Sequence, residues 1–184
     1  MPRLLQEWVT EHAARRPEAL AVVGDRGQLT YAELDALSNQ LAGLLRDAGC
    51  PPGDRVALLA RKSPQAVASL LGIFKADCTY VPLDPTSPPS RLNKILDSCQ
   101  GDWLIASGPV KLVLDEVFKE NARRSMRVGS LDSGPLEGHN FRTSFTLDDV
   151  SGYAPAPQTY RNGSGDPSHI LFTSGSTEIG RAHV

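Results

Sequence analysis

The residues best suited to chemistry lie near the end of the chain, where an apolar run meets a cluster of small residues. The run spans 169–172, and the cluster consists of Thr173, Ser174, Gly175, Ser176 and Thr177. Hydroxyl groups donate hydrogen bonds, and glycine allows neighbouring backbone N–H groups to converge on an anion. Because a short apolar run is typical of a buried strand, the pattern predicts a strand that delivers a phosphate-binding loop.

The same cluster has a plainer interpretation, since runs of serine, threonine and glycine are most often ordinary surface loops. The Walker pattern is excluded, because no Gly-Lys-Ser or Gly-Lys-Thr follows the cluster. The chain ends seven residues later, after 178–184 (EIGRAHV). We therefore expect the rest of the phosphate site to lie outside this sequence.

The composition excludes several classes of protein. Of 184 residues, 40% are hydrophobic and 22% are charged, as in a soluble globular domain with a core of its own. The 19 Lys and Arg against 21 Asp and Glu give a net charge of −2, so no basic field attracts nucleic acid or an anionic membrane. The sequence shows no membrane-spanning apolar stretch and no signal peptide. We expect a cytoplasmic protein with no nucleic-acid and no membrane partner.

The cysteines and histidines form no recognisable motif. Cys50, Cys78 and Cys99 are odd in number and widely spaced, which favours reduced structural thiols. The histidines, at 12, 139, 169 and 183, lack metal-ligand spacing, so the sequence predicts no metal-binding residue.

The first fifty residues predict two helices joined by a hairpin. The first helix is expected over 3–15, and the hairpin pairs a buried strand over 19–23 with 28–29. Thr30 and Glu33 have the spacing of a capping box, which predicts the start of the second helix. The apolar face of the first helix is predicted to contain Leu4, Leu5, Trp8, Val9 and His12.

A regular alternation of strands and helices follows. Strands are predicted over 55–60, 79–82 and 102–106, and helices are predicted to begin near Ser63 and Ser87. Alternation with short connections indicates the α/β class, with a layered, largely parallel sheet and flanking helices. Beyond residue 107 the signal weakens.

Three segments of this weaker region have only coarse predictions. Residues 110–118 suit a helix, or a helix followed by a strand, and 123–138 show little periodicity. Residues 151–168 are rich in proline, glycine and hydroxyl side chains, which is typical of a linker or a surface loop.

Three blocks in order resemble the signatures of adenylate-forming (AMP-binding) enzymes. They are 29–34 (LTYAEL), 74–85 (FKADCTYVPLDP, continuing to Pro88, Arg91 and Leu92) and 170–177 (ILFTSGST). The set is most similar to the adenylation domains of nonribosomal peptide synthetases. The resemblance implies that 1–177 is an incomplete N-terminal part of the large domain of the adenylate-forming fold.

The resemblance also implies an activity and its cofactors. Enzymes of this family use ATP and Mg²⁺ to activate a carboxylic acid, here an amino acid, as an acyl-adenylate. The acyl group then passes to a thiol, usually the phosphopantetheine of a carrier protein. Within the third block, the resemblance assigns ATP binding to Thr173, Ser174, Gly175, Ser176 and Thr177.

The family's other functional residues follow the phosphate loop, so no catalytic and no metal-binding residue is assigned in this sequence. They include the aspartate that binds the substrate, the metal-binding glutamate, the ribose-binding aspartate and a C-terminal lysine. We therefore expect the 184-residue chain to be inactive by itself. A fragment of an acyl-CoA synthetase or of a D-alanine–carrier ligase is an alternative, and so is a non-enzymatic nucleotide-binding α/β module.

The sequence departs from the family pattern at two places. Asp77 stands where the family usually has glycine, which is costly only if φ is positive there. After Thr177 the family continues with glycine and then a Pro-Lys-Gly, whereas this chain has Glu178. Back-translated as GAG ATC GGA AGA GCA CAC GTC, 178–184 matches a short-read sequencing adapter after its first base. We expect these seven residues to be a non-native tail.

Overall fold

The computed structural model describes residues 4–25, 27–120, 125–132 and 134–173, and it confirms the predicted α/β architecture. An antiparallel ribbon, formed by β1 (Leu20–Gly24) and β2 (Gly27–Thr30), precedes the main sheet. The strands of the main sheet are β3 (Arg55–Ala60), β4 (Thr79–Leu83), β5 (Trp103–Ser107), β6 (Arg127–Ser130) and β7 (Thr143–Phe145). Their order is β4-β3-β5-β6-β7, and all neighbouring pairs are parallel.

Helices cover both faces of this sheet. They are α1 (Leu5–Arg15), α2 (Tyr31–Asp47), α3 (Pro64–Lys75), α4 (Pro89–Cys99), α5 (Lys111–Glu120) and α6 (Leu147–Ser151). Alternate residues of β3 point to opposite faces, so Val56 and Leu58 pack with α2 and α3, whereas Ala57 and Leu59 pack with α4 and α5. Apolar side chains on both faces of the strands are expected for a parallel sheet covered on both sides.

Local sequence signals fix several of these boundaries. The Thr30–Glu33 capping box is confirmed, because the Glu33 N–H donates to Thr30 Oγ1 (3.2 Å) and Glu33 Oε2 accepts from the Thr30 N–H (2.8 Å). Ser63 caps α3 as predicted, by accepting from the Ala66 N–H (3.1 Å).

The predicted packing of the N-terminal elements is wrong in two respects. Leu5 and Trp8 lie on the exposed side of α1, 60% and 50% exposed, while Gln6 is buried. The expected buried strand is the mostly exposed β1, because its ribbon packs only one side against α2 and α3.

The last part of the main sheet was not predicted. The strands β6 and β7 have four and three residues, too few to show a period, and Gly129 interrupts the apolar pattern. This glycine is required by packing, because an added Cβ would overlap the ring of Phe145. Residues 111–120 form a single helix, α5.

No helix in the described ranges combines the length and apolar character needed to cross a membrane.

Candidate functional site

The segment that leads into the predicted phosphate loop runs parallel to the edge strand β4. The Tyr80 N–H donates to the Ser168 carbonyl (2.9 Å), and the Ile170 N–H donates to the Tyr80 carbonyl (2.9 Å). Ile170 and Phe172 pack against the core on the α4 and α5 side of the sheet. The chain is therefore directed towards the carboxyl end of β4.

The prediction of a buried strand over 169–172 is wrong, since His169 and Tyr80 form only an isolated bridge and Leu171 is 42% exposed. The reason lies in β4. The next outward-facing donor after Tyr80 would be the backbone nitrogen of residue 82, which is a proline and has no N–H. Pro82 is tolerated inside the strand because β4 is at the edge, and it stops the ladder there.

Thr173 is the one predicted ATP-binding residue that the structure describes. It is exposed and follows Phe172 without regular secondary structure. Ser174, Gly175, Ser176 and Thr177 lie outside the described residues, as does the tail 178–184.

Residues 153–168, which we call the delivery segment, precede this run and are tied to α2. The Gln40 side chain donates to the Tyr153 carbonyl (2.9 Å), and Asn39 donates to the Pro155 carbonyl (3.2 Å). Further along, Arg46 donates to the Thr159 carbonyl (2.9 Å). The segment is irregular and largely exposed, as predicted for a surface loop, but its backbone is anchored at intervals.

Asp77, which lies just before β4 in the chain, provides a further anchor for the delivery segment. One oxygen of its carboxylate accepts from the N–H groups of Arg161 (2.8 Å) and Asn162 (3.1 Å), and the other pairs with Arg46 (3.0 Å). Asp77 has a φ of 62°, the left-handed conformation that favours glycine. The glycine of the family pattern is thus replaced by a side chain whose contacts compensate for the backbone strain.

A second polar cluster, which the sequence did not reveal, lies inside the helical layer. The Lys75 ammonium has no exposed surface and donates to Asp35 Oδ1 (2.7 Å) and Asn39 Oδ1 (2.8 Å). Thr10 and Asn39 also donate to the Asp35 carboxylate. Desolvation lowers the pKa of Lys75, and Asp35 opposes that shift. The one signal in the sequence is that Lys75 is the single charged residue of a largely apolar helix, α3.

A groove of about 840 Å³ opens at the carboxyl ends of β3 and β4. Ligands commonly bind there in open parallel sheets. Its walls are largely apolar, with Arg61 and Lys62 between β3 and α3, and Asp84 after β4.

Asp84, a residue of the second signature block, has a local structural role. Its Oδ1 accepts from the N–H and the hydroxyl of Thr86, both at 2.8 Å. These hydrogen bonds hold the pKa of Asp84 below its usual value. The contacts agree with the interpretation of this block as a strand with a proline-rich exit.

Among the described residues, no group of three or more His, Cys, Asp or Glu side chains could hold a metal ion.

Residues 9–177 match the family model described as AMP-binding enzyme. The chain belongs to this family. The AMP-binding match includes all three signature blocks, and it ends at Thr177, before the tail.

Similar proteins include peptide synthetases that are far longer than this chain. N-(5-amino-5-carboxypentanoyl)-L-cysteinyl-D-valine synthase from Penicillium rubens is 33% identical over 180 residues, which is 94% of this chain but 4% of the synthase. The nonribosomal peptide synthetase FmoA3 in its AMPPNP-bound form is 28% identical, with a TM-score of 0.72 over 93% of this chain and 16% of FmoA3.

The fold is also shared with a CoA ligase. The anthranilate CoA ligase AuaEII, solved with anthranoyl-AMP, has a TM-score of 0.82 over 97% of this chain and 34% of its own. Its identity is 18%, so this similarity concerns the fold alone.

Proposed function

We propose that the chain is the N-terminal part of an adenylation domain in an ATP-dependent ligase that activates an amino acid. The observation that carries the proposal is the family match over 9–177, together with the parallel bridge between His169 and Tyr80 that directs the chain towards the carboxyl end of β4. The similarity to peptide synthetases at 33% and 28% identity supports an amino acid over other carboxylic acids.

In the proposed reaction, a carboxylate oxygen attacks the α-phosphorus of ATP. The bond from that phosphorus to the bridging oxygen breaks, and pyrophosphate leaves with the electron pair. The acyl-adenylate then reacts with a thiol, which we propose is the phosphopantetheine of a carrier protein. Such chemistry depends chiefly on positioning and on neutralising the phosphate charge.

This chain's own contribution would be to hold the triphosphate. We propose that the hydroxyls of Thr173, Ser174, Ser176 and Thr177 and the backbone at Gly175 donate hydrogen bonds to phosphate oxygens. The exposed position of Thr173 suits this role. Mg²⁺ would neutralise phosphate charge and would be held by residues outside this sequence.

We propose further that the 184-residue chain does not catalyse adenylation alone, since the family's blocks after the phosphate loop are not in its sequence. ATP–pyrophosphate exchange across the common amino acids tests this. Exchange that depends on the amino acid and exceeds a no-enzyme control would contradict it.

The genomic sequence across codon 177 tests the proposed function. We expect glycine after Thr177, then a Pro-Lys-Gly and a pocket aspartate that binds an amino group. A Pro-Lys-Gly without that aspartate would favour an acyl-CoA synthetase, whose fold AuaEII shares, or a D-alanine–carrier ligase. If the genome encodes EIGRAHV and a stop codon, the chain is a small nucleotide-binding module and the tail is genuine.

A further inference from the structure

Two cysteines that are 28 residues apart in the sequence meet in the core. The Sγ atoms of Cys50 and Cys78 are 3.5 Å apart, and both residues are buried, 3% and 2% exposed. Cys50 follows α2, and Cys78 lies between Asp77 and β4. The two residues belong to the same apolar cluster on the α2 and α3 side of the sheet.

The distance between the two sulfur atoms leaves little movement before a covalent bond. A disulfide has an S–S length of about 2.05 Å, so closure requires the sulfur atoms to approach by roughly 1.5 Å. The backbone of each cysteine is fixed at the end of a helix, because the Cys50 N–H donates to the Leu45 carbonyl (2.9 Å) and the Cys78 N–H to the Ile73 carbonyl (3.0 Å).

Cys50 lies at the wall of a small pocket. A pocket of about 320 Å³ has this residue in its wall, together with Arg46, Pro52, Asp77, Thr159 and Arg161. The hydrogen bond with Cys78 and burial raise the pKa of the Cys50 thiol, so the thiol is protonated at neutral pH. Oxidation should then be slow, because the thiolate is the reactive form.

We propose that Cys50 and Cys78 are a modification site at which a small two-electron oxidant closes a reversible disulfide. With a diazene oxidant, Cys50 Sγ adds to one nitrogen of the N=N bond, and its proton passes through solvent to the other nitrogen. Cys78 Sγ then attacks Cys50 Sγ, the S–N bond breaks, and the departing nitrogen takes up the Cys78 proton. The two thiols lose two electrons and two protons, and the diazene becomes a hydrazine.

The third cysteine is a built-in control. Cys99 ends α4 and belongs to the cluster on the α4 and α5 side, so the sheet separates it from the other two. Oxidation of the native chain should join Cys50 to Cys78 at least tenfold more often than either is joined to Cys99. In a denatured chain this preference should disappear, because the fold no longer holds the pair together.

The experiment treats the full chain with diamide, native and in urea, then blocks remaining thiols and maps the disulfides by mass spectrometry. We expect the native chain to lose two hydrogens, with Cys50 linked to Cys78, and dithiothreitol to restore them. C99S should retain the bond and C50S should lose it. A native chain without this bond, or an equal preference in native and denatured chains, would overturn the proposal. The comparison between the native and the urea-denatured wild-type chain tests the proposal even if C50S fails to fold.

Discussion

The guanidinium of Arg46 lies 3.0 Å from the carboxylate of Asp77, whose backbone has the left-handed conformation at φ 62°. The Asp77 side chain is 2% exposed and that of Arg46 29%, so the pair is only partly screened by water. The same carboxylate accepts two N–H groups of the delivery segment. One residue thus joins α2, the end of α3 and the segment that leads to Thr173.

We predict that D77G destabilises the chain even though glycine suits the backbone. Relief of the left-handed strain should contribute about 1 kcal/mol, whereas loss of the partly buried pair and its hydrogen bonds should cost about 3 kcal/mol. D77A loses the same contacts and keeps the strain, so it should be less stable than D77G by about 1 kcal/mol. Urea denaturation measures both.

Gln100 provides a matched control for Asp77. It has a φ of 53°, and its side chain is exposed. Q100G should be neutral or stabilising by up to about 1 kcal/mol, because it relieves strain without removing a buried ion pair. If D77G were as stable as the wild type, the anchoring role assigned to the Asp77 carboxylate would be wrong.

We predict that K75M destabilises the chain by about 3 kcal/mol or more at neutral pH. The substitution leaves the Asp35 carboxylate, which is largely buried, without its cationic partner. K94M, at an exposed position of α4, should change the free energy of unfolding by less than about 0.5 kcal/mol. Both values come from urea denaturation at one pH.

The advantage of wild type over K75M should grow as the pH rises towards 10.5. Because desolvation lowers the pKa of Lys75 below its ordinary value of 10.5, the native state releases this proton before the unfolded chain does. The unfolded chain then binds more protons, and stability rises with pH by at most about 1.4 kcal/mol per unit. If the difference in unfolding free energy between wild type and K75M instead narrows as the pH rises towards 10.5, Asp35 must raise the pKa of Lys75 above its ordinary value.

Sequence patterns predicted the elements whose signals are local. The Thr30 capping box, the Ser63 cap and the apolar run of β3 lie within a few residues of the structures that they specify. The contact between Asp77 and Arg161 joins positions 84 residues apart, and no pattern of spacing reveals such a pair.

For the run 169–172, which leads into the predicted phosphate loop, the sequence indicated the residue types of a strand but not the conformation that the chain adopts. The run 169–172 has the composition of a buried strand, yet its ladder ends because Pro82 lies on the neighbouring strand. That relationship depends on which strand is at the sheet edge. The exposed side of α1 was missed for a similar reason, since only the tertiary structure determines which side meets α2.

We predict that G101A destabilises the chain by about 3 kcal/mol or more. A Cβ at this position would overlap the carbonyl oxygen of Arg55, the first residue of β3, and a backbone atom cannot move aside cheaply. Gly165, in the delivery segment, has no atom within 4 Å of an added Cβ, so G165A should be neutral. Equal thermal stability of G101A and G165A would contradict this packing.

ATP–pyrophosphate exchange by a chimera is the decisive test of whether this chain can form part of an adenylating enzyme. Residues 9–173 of this chain would replace the matching segment of FmoA3, which has been solved with AMPPNP and with α-methyl-L-serine-AMP. In the chimera Thr173 therefore comes from this chain, and all later residues come from the host. The unmodified host is the positive control.

We expect the folded chimera to catalyse exchange that depends on α-methyl-L-serine and exceeds a no-enzyme control. We also expect T173A to lose about tenfold or more of this exchange if the Thr173 hydroxyl stabilises the triphosphate. A chimera that is folded by circular dichroism yet shows no exchange, while the unmodified host does, would contradict the claim that this chain is the N-terminal part of an adenylating enzyme.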